Sequence, residues 1–369
     1  MKIAYVASAP VPSRVARSVN IVKSCAALAA LGHQVVLLLT EAHADEVEPG
    51  VDDVFAFYDV PRSFEIRWLP TPRRFGGRTL FSLAVAGFAL RWRPDLVYGR
   101  YLRACLLTCR LGFDTVVELH SPVRGRRSSK ARRLIALARL RHFRAFVTLT
   151  DAMRRHFVML GLPGIGEHNV LHAPTGAAAP PATTEPQPLP RATSGWQIGY
   201  AGGLDEHKGA MIAVQLAKAL PGHDFHLMGG SEEQLATWRA QHRLPNLHLH
   251  GYVPQAVLLR YIAALDLCLL PNQPNPANPG AEPYTSPLKL FNYMALGRPV
   301  LASDYPELRE ILNPDNAVLV DDPTRVGSWV AAIEGLAPDR LARIGAQARH
   351  DFIAHYTLEA RYRDILQRI

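Results

Sequence analysis

Short apolar runs alternate with helical stretches in two separate series along this chain. The first series contains IAYVA from residue 3, QVVLLLT from residue 34, DLVYG from residue 95, TVVEL from residue 115 and AFVTLT from residue 145. Continuous apolar strands separated by helices are typical of a parallel sheet that is covered on both faces. The pattern predicts an α/β fold with a doubly wound sheet in residues 1–172.

Residues 173–195 interrupt this pattern, because they are dense in Pro, Ala and Thr and show no periodicity, as expected of an interdomain linker. The second series contains WQIGYAG from residue 196, DFHLMGG from residue 224, NLHLHGY from residue 246, DLCLLPN from residue 266, RPVLAS from residue 298 and NAVLVDD from residue 316. We expect a second Rossmann-like domain in residues 196–356. Residues 357–369 read as a charged helix that crosses back to the first domain. Ligands of such sheets bind outside the carboxyl ends of the strands, so a site is expected in a central cleft between two facing sheets.

Composition excludes several classes of protein. No apolar run approaches the roughly 18 residues of a spanning helix, and the best candidate, Leu80–Leu90, is about half that length. The chain opens directly on a strand-like run rather than a secretion signal, which favours a cytoplasmic protein. The four cysteines lack the spacing of a metal site or a disulfide framework, and we expect them to be reduced packing residues.

Positive charge is concentrated in the first domain. Residues 1–172 hold 25 Lys and Arg against 13 Asp and Glu, whereas the remaining residues hold 16 against 19. Within Arg124–Arg144, nine basic residues and no acid are interleaved with leucines. Such a segment suits an anionic membrane surface, and a solvated basic helix is the alternative. Nucleic acid is not expected, because no aromatic interleaving or known binding signature accompanies the charge.

The stretch EPYTSPLKLFNYMALGRP, residues 282–299, predicts an anion site at the start of a helix. Ser286 suits the N-cap, Pro287 suits the first helical position and Gly297 suits the C-terminal end. The amides near Leu288, the helix dipole and the Lys289 ammonium would all attract a phosphate. An ordinary capped surface helix is the alternative.

A second phosphate-type element, GYAGGLDEHKG, begins at Gly199. Gly202 and Gly203 permit close approach of the backbone, and Lys208 stands where the next helix is expected to open. Together with the Lys289 helix, this element predicts a diphosphate held by two lysines. No Asp-x-Asp sequence occurs to hold a metal, and we expect neither metal nor cofactor.

These segments resemble family 4 of the GT-B glycosyltransferases. The likeness rests on YTSPLKLFNYMALGRP from Tyr284, GGLDEHKG from Gly202, GYVP from Gly251, LLPN from Leu269, VVELHSP from Val116 and the opening VASAPVPSRVARSVN. It spans nearly the whole chain. It implies a metal-independent, retaining transfer of a sugar from a nucleotide-diphosphate sugar to a glycan or lipid-linked acceptor, as in surface polysaccharide or glycolipid biosynthesis. The donor would bind the C-terminal domain and the acceptor the N-terminal one.

The resemblance also assigns residues. Lys208 would contact the diphosphate as a catalytic residue, and His120 would face the transferred sugar. The other donor-binding positions are Gly202, Gly203, Gly229, Gly251, Tyr252, Val253, Glu282, Tyr284, Thr285, Ser286, Pro287, Leu288, Lys289 and Asn292. Asn292 would contact the ribose, and the turn from Gly251 to Pro254 the base. Near the start of the first long helix, Arg14, Arg17 and Ser18 are candidates for acceptor binding.

Three positions depart from the family pattern. The family usually has Arg at the position of Gly203 and Glu at the positions of Tyr284 and Asn292, and Glu282 is a candidate replacement for the missing acid. These changes leave open a non-catalytic sugar-nucleotide-binding protein, and, with less support, a sugar-nucleotide epimerase or a phosphorylase. A dinucleotide oxidoreductase is disfavoured, because no Gly-x-Gly-x-x-Gly turn follows the first strand.

Overall fold

A computed structural model describes residues 1–41, 46–71, 77–123, 125–274 and 286–369. The candidate site residues Glu282, Tyr284 and Thr285, and Arg124 of the basic segment, lie outside the described residues. The chain divides into two compact units. Unit 1 comprises Met1–Ala178 and Leu358–Ile369, and unit 2 comprises Ala179–Thr357.

Unit 1 is built on a seven-stranded parallel sheet of order β3-β2-β1-β4-β5-β6-β7. Its strands are β1 Lys2–Ala7, β2 Gln34–Thr40, β3 Glu65–Leu69, β4 Leu96–Gly99, β5 Thr115–Leu119, β6 Phe143–Thr148 and β7 Val170–His172. Its helices are α1 Ala16–Ala30, α2 Val54–Tyr58, α3 Gly77–Trp92, α4 Leu102–Arg110, α5 Ser129–Ala138 and α6 Asp151–Met159, followed by Leu358–Gln367 from the end of the chain.

Alternating side chains of β1 build the two cores of this sheet. Ile3 and Tyr5 pack on the face covered by α1 and by the C-terminal helix, whereas Ala4 and Val6 pack on the face covered by α3. Successive side chains of a strand point to opposite faces, so a strand covered on both faces must be apolar throughout. For this reason, the continuous apolar sequences of β1, β2, β4, β5 and β6 could be recognised as strands.

The sequence did not predict β3 and β7. The β3 sequence, EIRWL, lies at one edge of the sheet, and most of its residues are at least partly exposed. An edge strand of this kind tolerates Glu, Arg and Trp and therefore lacks the apolar signal. The other edge strand, β7, has only three residues.

Unit 2 has a six-stranded parallel sheet of order β10-β9-β8-β11-β12-β13. Its strands are β8 Gln197–Ala201, β9 Asp224–Met228, β10 Leu247–Gly251, β11 Leu267–Leu270, β12 Val300–Ser303 and β13 Val318–Val320. Its helices are α7 Ala210–Ala219, α8 Glu232–Gln241, α9 Gln255–Ala263, α10 Leu288–Ala295, α11 Val326–Glu334 and α12 Pro338–Asp351.

The last helix, α13 (Leu358–Gln367), packs on unit 1. Leu358, Tyr362 and Ile365 are buried in the same cluster as Ile3 and Tyr5. Within the Pro- and Ala-rich stretch that begins at residue 173, Ala173, Thr175 and Ala177 are also buried. Among the described helices, none combines the length and the hydropathy that crossing a bilayer requires.

Three stacked imidazoles form an unusual cluster in unit 2. His226 lies between His248 and His250, with ring centroids 4.7 and 5.2 Å away, and its Nδ1 lies 2.9 Å from Nε2 of His250. His226 is fully buried and also contacts Gln197 Oε1 at 2.6 Å, while His248 contacts the Asp224 carboxylate at 2.8 Å. Burial and then the neighbouring imidazoles lower the pKa of His226 to about 3, and the same causes lower the pKa of His250 to about 4.

This cluster predicts that the protein loses stability in mild acid. In the unfolded chain both histidines take up protons below their ordinary pKa of 6.5, whereas in the fold they stay neutral to about pH 4. Stabilisation is therefore complete above pH 6.5 and falls as the pH drops, by roughly 2 kcal/mol per imidazole between pH 7 and 5. Urea denaturation at the two pH values measures the change.

The matched comparison for this prediction uses two histidine variants. His250→Gln should remove about half of the pH dependence, and His355→Gln, at an exposed position, should leave it unchanged. Equal pH dependence in wild type and His250→Gln would show that the cluster is not responsible.

Candidate active site

Each sheet has one point where the strand order reverses. In unit 1 the reversal lies between β1 and β4, and in unit 2 between β8 and β11. Loops leave in opposite directions at such a point, which opens a crevice at the carboxyl ends of the strands where ligands bind. The described candidate residues of both units lie at the carboxyl ends of these two sheets.

In unit 2, the turn after β8 is fixed by two tyrosines. The Tyr200 hydroxyl donates to the carbonyl oxygen of Gly203 at 2.7 Å, and the amide of Ala201 donates to the Tyr293 hydroxyl at 2.8 Å. Tyr293 belongs to α10 and is fully buried. The turn of Gly202 and Gly203 is thereby tied to the helix that carries Lys289.

The ends of β8, β9 and β10 meet through glycines. Gly229, with a φ of +134°, donates its amide to the carbonyl of Gly251 at 2.6 Å. A Cβ atom on Gly229 would lie 1.9 Å from the carbonyl oxygen of Gly202. Only glycine fits there without moving the backbone. The structure thus brings together Gly202, Gly229 and Gly251, which the family resemblance assigned to the donor site.

Lys289 lies at the carboxyl edge of the unit 2 sheet in surroundings that are unusual for a lysine. Its Nζ atom is buried, lies 4.1 Å from the centre of the Tyr200 ring and has no hydrogen-bond partner among the described residues. Burial, and next the positive charge of Lys208, lower the pKa of Lys289 to about 7, although Asp205 acts in the opposite direction. A buried ammonium without an acceptor is unfavourable, and an anionic ligand would supply the missing partner.

Lys208 lies beside the same turn. A Cβ atom on Gly203 would lie 2.9 Å from Lys208 Nζ, and one on Gly202 would lie 3.2 Å from Lys289 Nζ. The two ammonium groups therefore flank one pair of glycines. Lys208 also forms an ion pair with Asp205, which the sequence analysis did not anticipate.

The local structure around Lys208 differs from the expectation that α7 opens there. Lys208 ends a short 3-10 turn, Glu206–Lys208, and Gly209 precedes α7 with a φ of +74°. A Cβ atom on Gly209 would lie 1.6 Å from the carbonyl oxygen of Pro271, so only glycine fits at this left-handed position before the helix.

The start of α10 also differs from the expectation. Pro287, not Ser286, is the N-cap, with an extended ψ of 111°, and the Pro287 side chain offers no cap bond. Because Pro287 itself is extended, the helix begins at Leu288 rather than at Pro287. Its end agrees with the expectation: Gly297 has a φ of +63° and, with Arg298, closes a Schellman motif through bonds to the carbonyls of Met294 and Tyr293.

The remaining described donor-site positions belong to α10 and to the turn after β10. Asn292 is half-buried, three residues after Lys289 on α10. Leu288 is half-buried as well, whereas Phe291 and Ala295 are buried in the core. In the turn after β10, Tyr252 is half-buried and Val253 is buried.

In unit 1, Glu118 on β5 is the centre of a buried charge network. It is 2% exposed, and its Oε1 lies 2.7 Å from the Arg100 guanidinium. Its Oε2 lies 3.0 Å from the guanidinium of Arg361 on α13 and also accepts from the Tyr98 hydroxyl. Burial alone would raise the pKa of Glu118, but Arg100 and Arg361 outweigh it and hold that pKa well below its usual range. The carboxylate is therefore ionised.

His120 follows β5 and contacts the same carboxylate. Its Nε2 lies 2.6 Å from Glu118 Oε1. Since an ionised carboxylate can only accept, Nε2 carries the proton and Nδ1 is the acceptor of the ring. Burial, and then the nearby Arg100, lower the pKa of His120, so the imidazole is neutral at pH 7.

A pocket of about 460 Å³ lies at the carboxyl ends of β1, β4 and β5. Its polar lining includes Ser8, Arg17, Arg100, Glu118, His120, Ser121, Lys130 and Arg133. The single carboxylate among them is already bound by two arginines, so the pocket has an excess of positive charge. Lys130 donates to the Ser121 carbonyl and hydroxyl at 2.5 and 2.9 Å, and burial lowers its pKa to about 8.

The three candidate acceptor residues have different surroundings. Arg17 is exposed and lines the pocket. Arg14 forms an ion pair with Glu48. Ser18 is fully buried and donates its hydroxyl to the carbonyl of Pro10 at 2.6 Å, which fixes the turn before α1.

The sequence analysis missed Glu118, Arg100 and Arg361. One signal was available, because Glu118 is the only charged residue in the otherwise apolar run TVVEL. An acid in a doubly covered strand requires a buried partner. The sequence could not identify that partner, since Arg361 is 243 residues away.

Comparison with family models found two matches. A model described as Glycosyltransferase Family 4 matches residues 20–166, and one described as Glycosyl transferase-like matches residues 211–367. A comparison with curated protein sequences found no significant match.

Solved structures resemble the chain over its whole length. Sucrose-phosphate synthase of Thermosynechococcus elongatus has a TM-score of 0.72 at 18% identity, covering 100% of this chain and 98% of its own. A glycosyltransferase of Rickettsia africae gives 0.71 at 14% identity, covering 99% and 97%. HepE of Anabaena in complex with UDP-glucose gives 0.67 at 15% identity, covering 100% and 98%.

The two Rossmann-like sheets and these matches define a glycosyltransferase of the GT-B fold. Within that class, the match of residues 20–166 to the family 4 model supports the predicted resemblance to glycosyltransferase family 4.

Proposed function

We propose that this glycosyltransferase moves a hexose from a nucleotide-diphosphate sugar to a glycan or lipid-linked acceptor, with retention of configuration and without a metal ion. The observation that carries the proposal is the buried Lys289 ammonium, which lies beside Lys208 at the strand-order reversal of unit 2 and lacks an acceptor among the described residues. The UDP-glucose complex of HepE supports a nucleotide sugar as the donor.

In the proposed reaction, the bond between the sugar and the diphosphate breaks early, and negative charge grows on the leaving diphosphate. Lys208, Lys289 and the first amides of α10 would stabilise that charge where it develops. A diphosphate oxygen would accept the proton of the acceptor hydroxyl. This route needs no carboxylate base, which explains how Tyr284 and Asn292 can replace glutamates.

His120 would contact the transferred sugar through its neutral imidazole. Glu118 holds the ring with Nε2 protonated, so Nδ1 can accept a hydrogen bond from a sugar hydroxyl. Glu118 would act as a positioning residue, because it touches His120 and two arginines.

The acceptor would bind unit 1, in the pocket lined by Arg17, Lys130 and Arg133. Its positive charge favours an anionic acceptor, such as a phosphate-bearing lipid or an acidic glycan, as in surface polysaccharide or glycolipid biosynthesis. Within the basic segment 124–144, Arg126 and Arg144 are engaged with Gly161 and Asp114, which leaves a smaller set of cations for a membrane surface.

Replacing Lys208 by alanine should lower transferase turnover by ten-fold or more. The substitution removes a charge that acts on the leaving group, and a ten-fold loss corresponds to about 1.4 kcal/mol. Initial rates of nucleotide diphosphate release, with UDP-glucose, GDP-mannose and ADP-glucose as donors, measure the change. Lys218→Ala, at an exposed position of α7, is the matched control.

The anomeric configuration of the product, read by NMR, tests retention, and activity in excess chelator tests metal independence. The second candidate function is a non-catalytic sugar-nucleotide-binding protein, favoured by the three departures from the family sequence pattern at Gly203, Tyr284 and Asn292. Binding of a nucleotide sugar without turnover on any acceptor would favour that candidate. An unchanged rate in Lys208→Ala would remove Lys208 from the mechanism.

A further inference from the structure

Helix α3 is apolar on both of its sides. Its inner side packs Phe81 and Val85 against the sheet of unit 1. Its outer side exposes Leu80, Leu83 and Leu90, whose surfaces are 49%, 55% and 55% accessible. Residues at this spacing share one helix face, and between them lies only the exposed Gly87. Surface helices of globular proteins normally carry polar residues on that side, so an exposed leucine row marks an interaction surface.

The helices next to α3 carry only positive charge. Helix α3 packs on α4, and α4 packs on α5. The sequences of these three helices contain no Asp or Glu. Their basic residues are Arg78 and Arg91 on α3, Arg103 and Arg110 on α4, and Lys130, Arg132 and Arg133 on α5.

Several of these arginines lie close together near the start of α3. Tyr101, at the N-cap of α4, packs edge-on against Phe81 with ring centroids 5.0 Å apart, and its hydroxyl donates to the carbonyl of Arg78 at 3.4 Å. Partial burial, and then the charges of Arg103 and Arg132, lower the pKa of Arg133. In the part of the chain that the structure describes, no carboxylate forms an ion pair with Arg78, Arg103, Arg132 or Arg133.

We propose that the outer surface of α3, α4 and α5 docks unit 1 on a lipid bilayer that contains anionic lipid. The leucine row of α3 enters the boundary between headgroups and acyl chains, and the arginines bind the anionic headgroups. With its 16 residues, α3 lies in the plane of the interface rather than across the membrane.

Charge argues against the other occupants of this surface. A symmetric dimer would place these three helices of one copy, which contain no Asp or Glu, on those of its partner, so that the arginines repel each other. Nucleic acid would satisfy the arginines but would leave the leucine row in water. A bilayer with anionic headgroups satisfies both features. Arg133 belongs to this surface and also lines the pocket of unit 1, so the pocket lies beside the docking surface.

Vesicle co-sedimentation tests the proposal with the full chain and does not depend on transferase activity. Vesicles of phosphatidylcholine are compared with and without phosphatidylglycerol. The wild type should bind only the anionic vesicles. Leu80→Ser/Leu83→Ser/Leu90→Ser should reduce the partition coefficient by at least ten-fold, and Arg103→Gln/Arg132→Gln should reduce it by about five-fold per charge.

Matched controls remove the same groups elsewhere. Met159→Ser removes a side chain on α6 that is 82% accessible, and Arg340→Gln/Arg343→Gln removes two exposed charges from α12. Both controls should bind as the wild type does. Circular dichroism and thermal melts verify that each variant is folded.

A labelled variant locates the contact if the triple variant does not fold. Because the four native cysteines are buried, Leu83→Cys can be labelled selectively with an environment-sensitive dye. Its emission should shift to the blue on anionic vesicles, whereas the same label on Met159→Cys should not respond. The proposal is overturned if wild type does not bind, if the leucine and control variants bind alike, or if the leucine variants only convert a dimer to a monomer.

Discussion

Replacing Lys289 by methionine should weaken the binding of a nucleotide-diphosphate sugar by about 10- to 100-fold. Methionine retains much of the packing over Tyr200 but removes the ammonium, and a charge-assisted hydrogen bond in a sheltered site is worth about 1.5 to 3 kcal/mol. Because the wild-type ammonium is buried without an acceptor among the described residues, the free protein should become no less stable. Calorimetry with UDP-glucose, GDP-mannose and ADP-glucose measures the affinity, and thermal melts without ligand measure the stability.

The same lysine should couple binding to proton uptake. In the free protein its pKa is about 7, and a bound diphosphate would raise that pKa. The affinity should therefore be greatest below pH 7 and fall as the pH rises through 7 toward the pKa of the bound state. Titrations in buffers of different ionisation enthalpy count the protons, and Lys289→Met should take up fewer. Lys218→Met is the control for loss of a lysine charge in the same unit, and equal affinities in both variants would contradict the assignment.

The fold was largely accessible from sequence because its central strands are covered on both faces. Sequences such as QVVLLLT and DLCLLPN are almost entirely apolar, as expected of strands that are buried on both faces. The edge strand β3 shows the limit of this reasoning. Its sequence EIRWL resembles a loop, and only pairing with β2 gives it a role in the sheet.

Part of the candidate donor site could also be predicted from the sequence, for a different reason. Glycine and lysine at a strand end indicate a local geometry, and the structure places Lys208 and Lys289 beside the same turn. What the sequence could not supply is the set of partners. Asp205 is only three residues before Lys208, but the sequence does not distinguish a solvated Asp from one that forms an ion pair.

In unit 1 the missing information is long-range. Glu118, Arg100 and Arg361 come from two strand ends and the last helix, and only the folded chain brings them together. Hydrophobic periodicity specifies which residues are buried but does not pair charges across 243 positions. The family resemblance made His120 a candidate sugar contact but gave no indication of the Glu118 carboxylate that orients it.

Replacing Glu118 by glutamine should destabilise the protein by about 3 to 5 kcal/mol. The amide has nearly the shape of the carboxylate but no charge, so Arg100 and Arg361 remain buried without a negative partner, which is the costly case for a buried ion pair. Urea denaturation at pH 7 measures the loss. Glu65→Gln, which breaks an exposed pair with Arg67 on the same sheet, is the matched control and should cost less than 1 kcal/mol.

A double variant distinguishes the stability lost through unpaired buried charge from the stability lost through altered side-chain shape. Glu118→Gln/Arg361→Met removes one of the two uncompensated cations, so it should be more stable than the sum of the two single losses predicts. Additive losses, or a cost for Glu118→Gln no larger than that for Glu65→Gln, would mean that the network contributes little. Non-additivity would show instead that α13 is held on unit 1 through the same carboxylate that fixes the proton of His120. Truncating the last helix would then alter the imidazole as well as the stability of the unit.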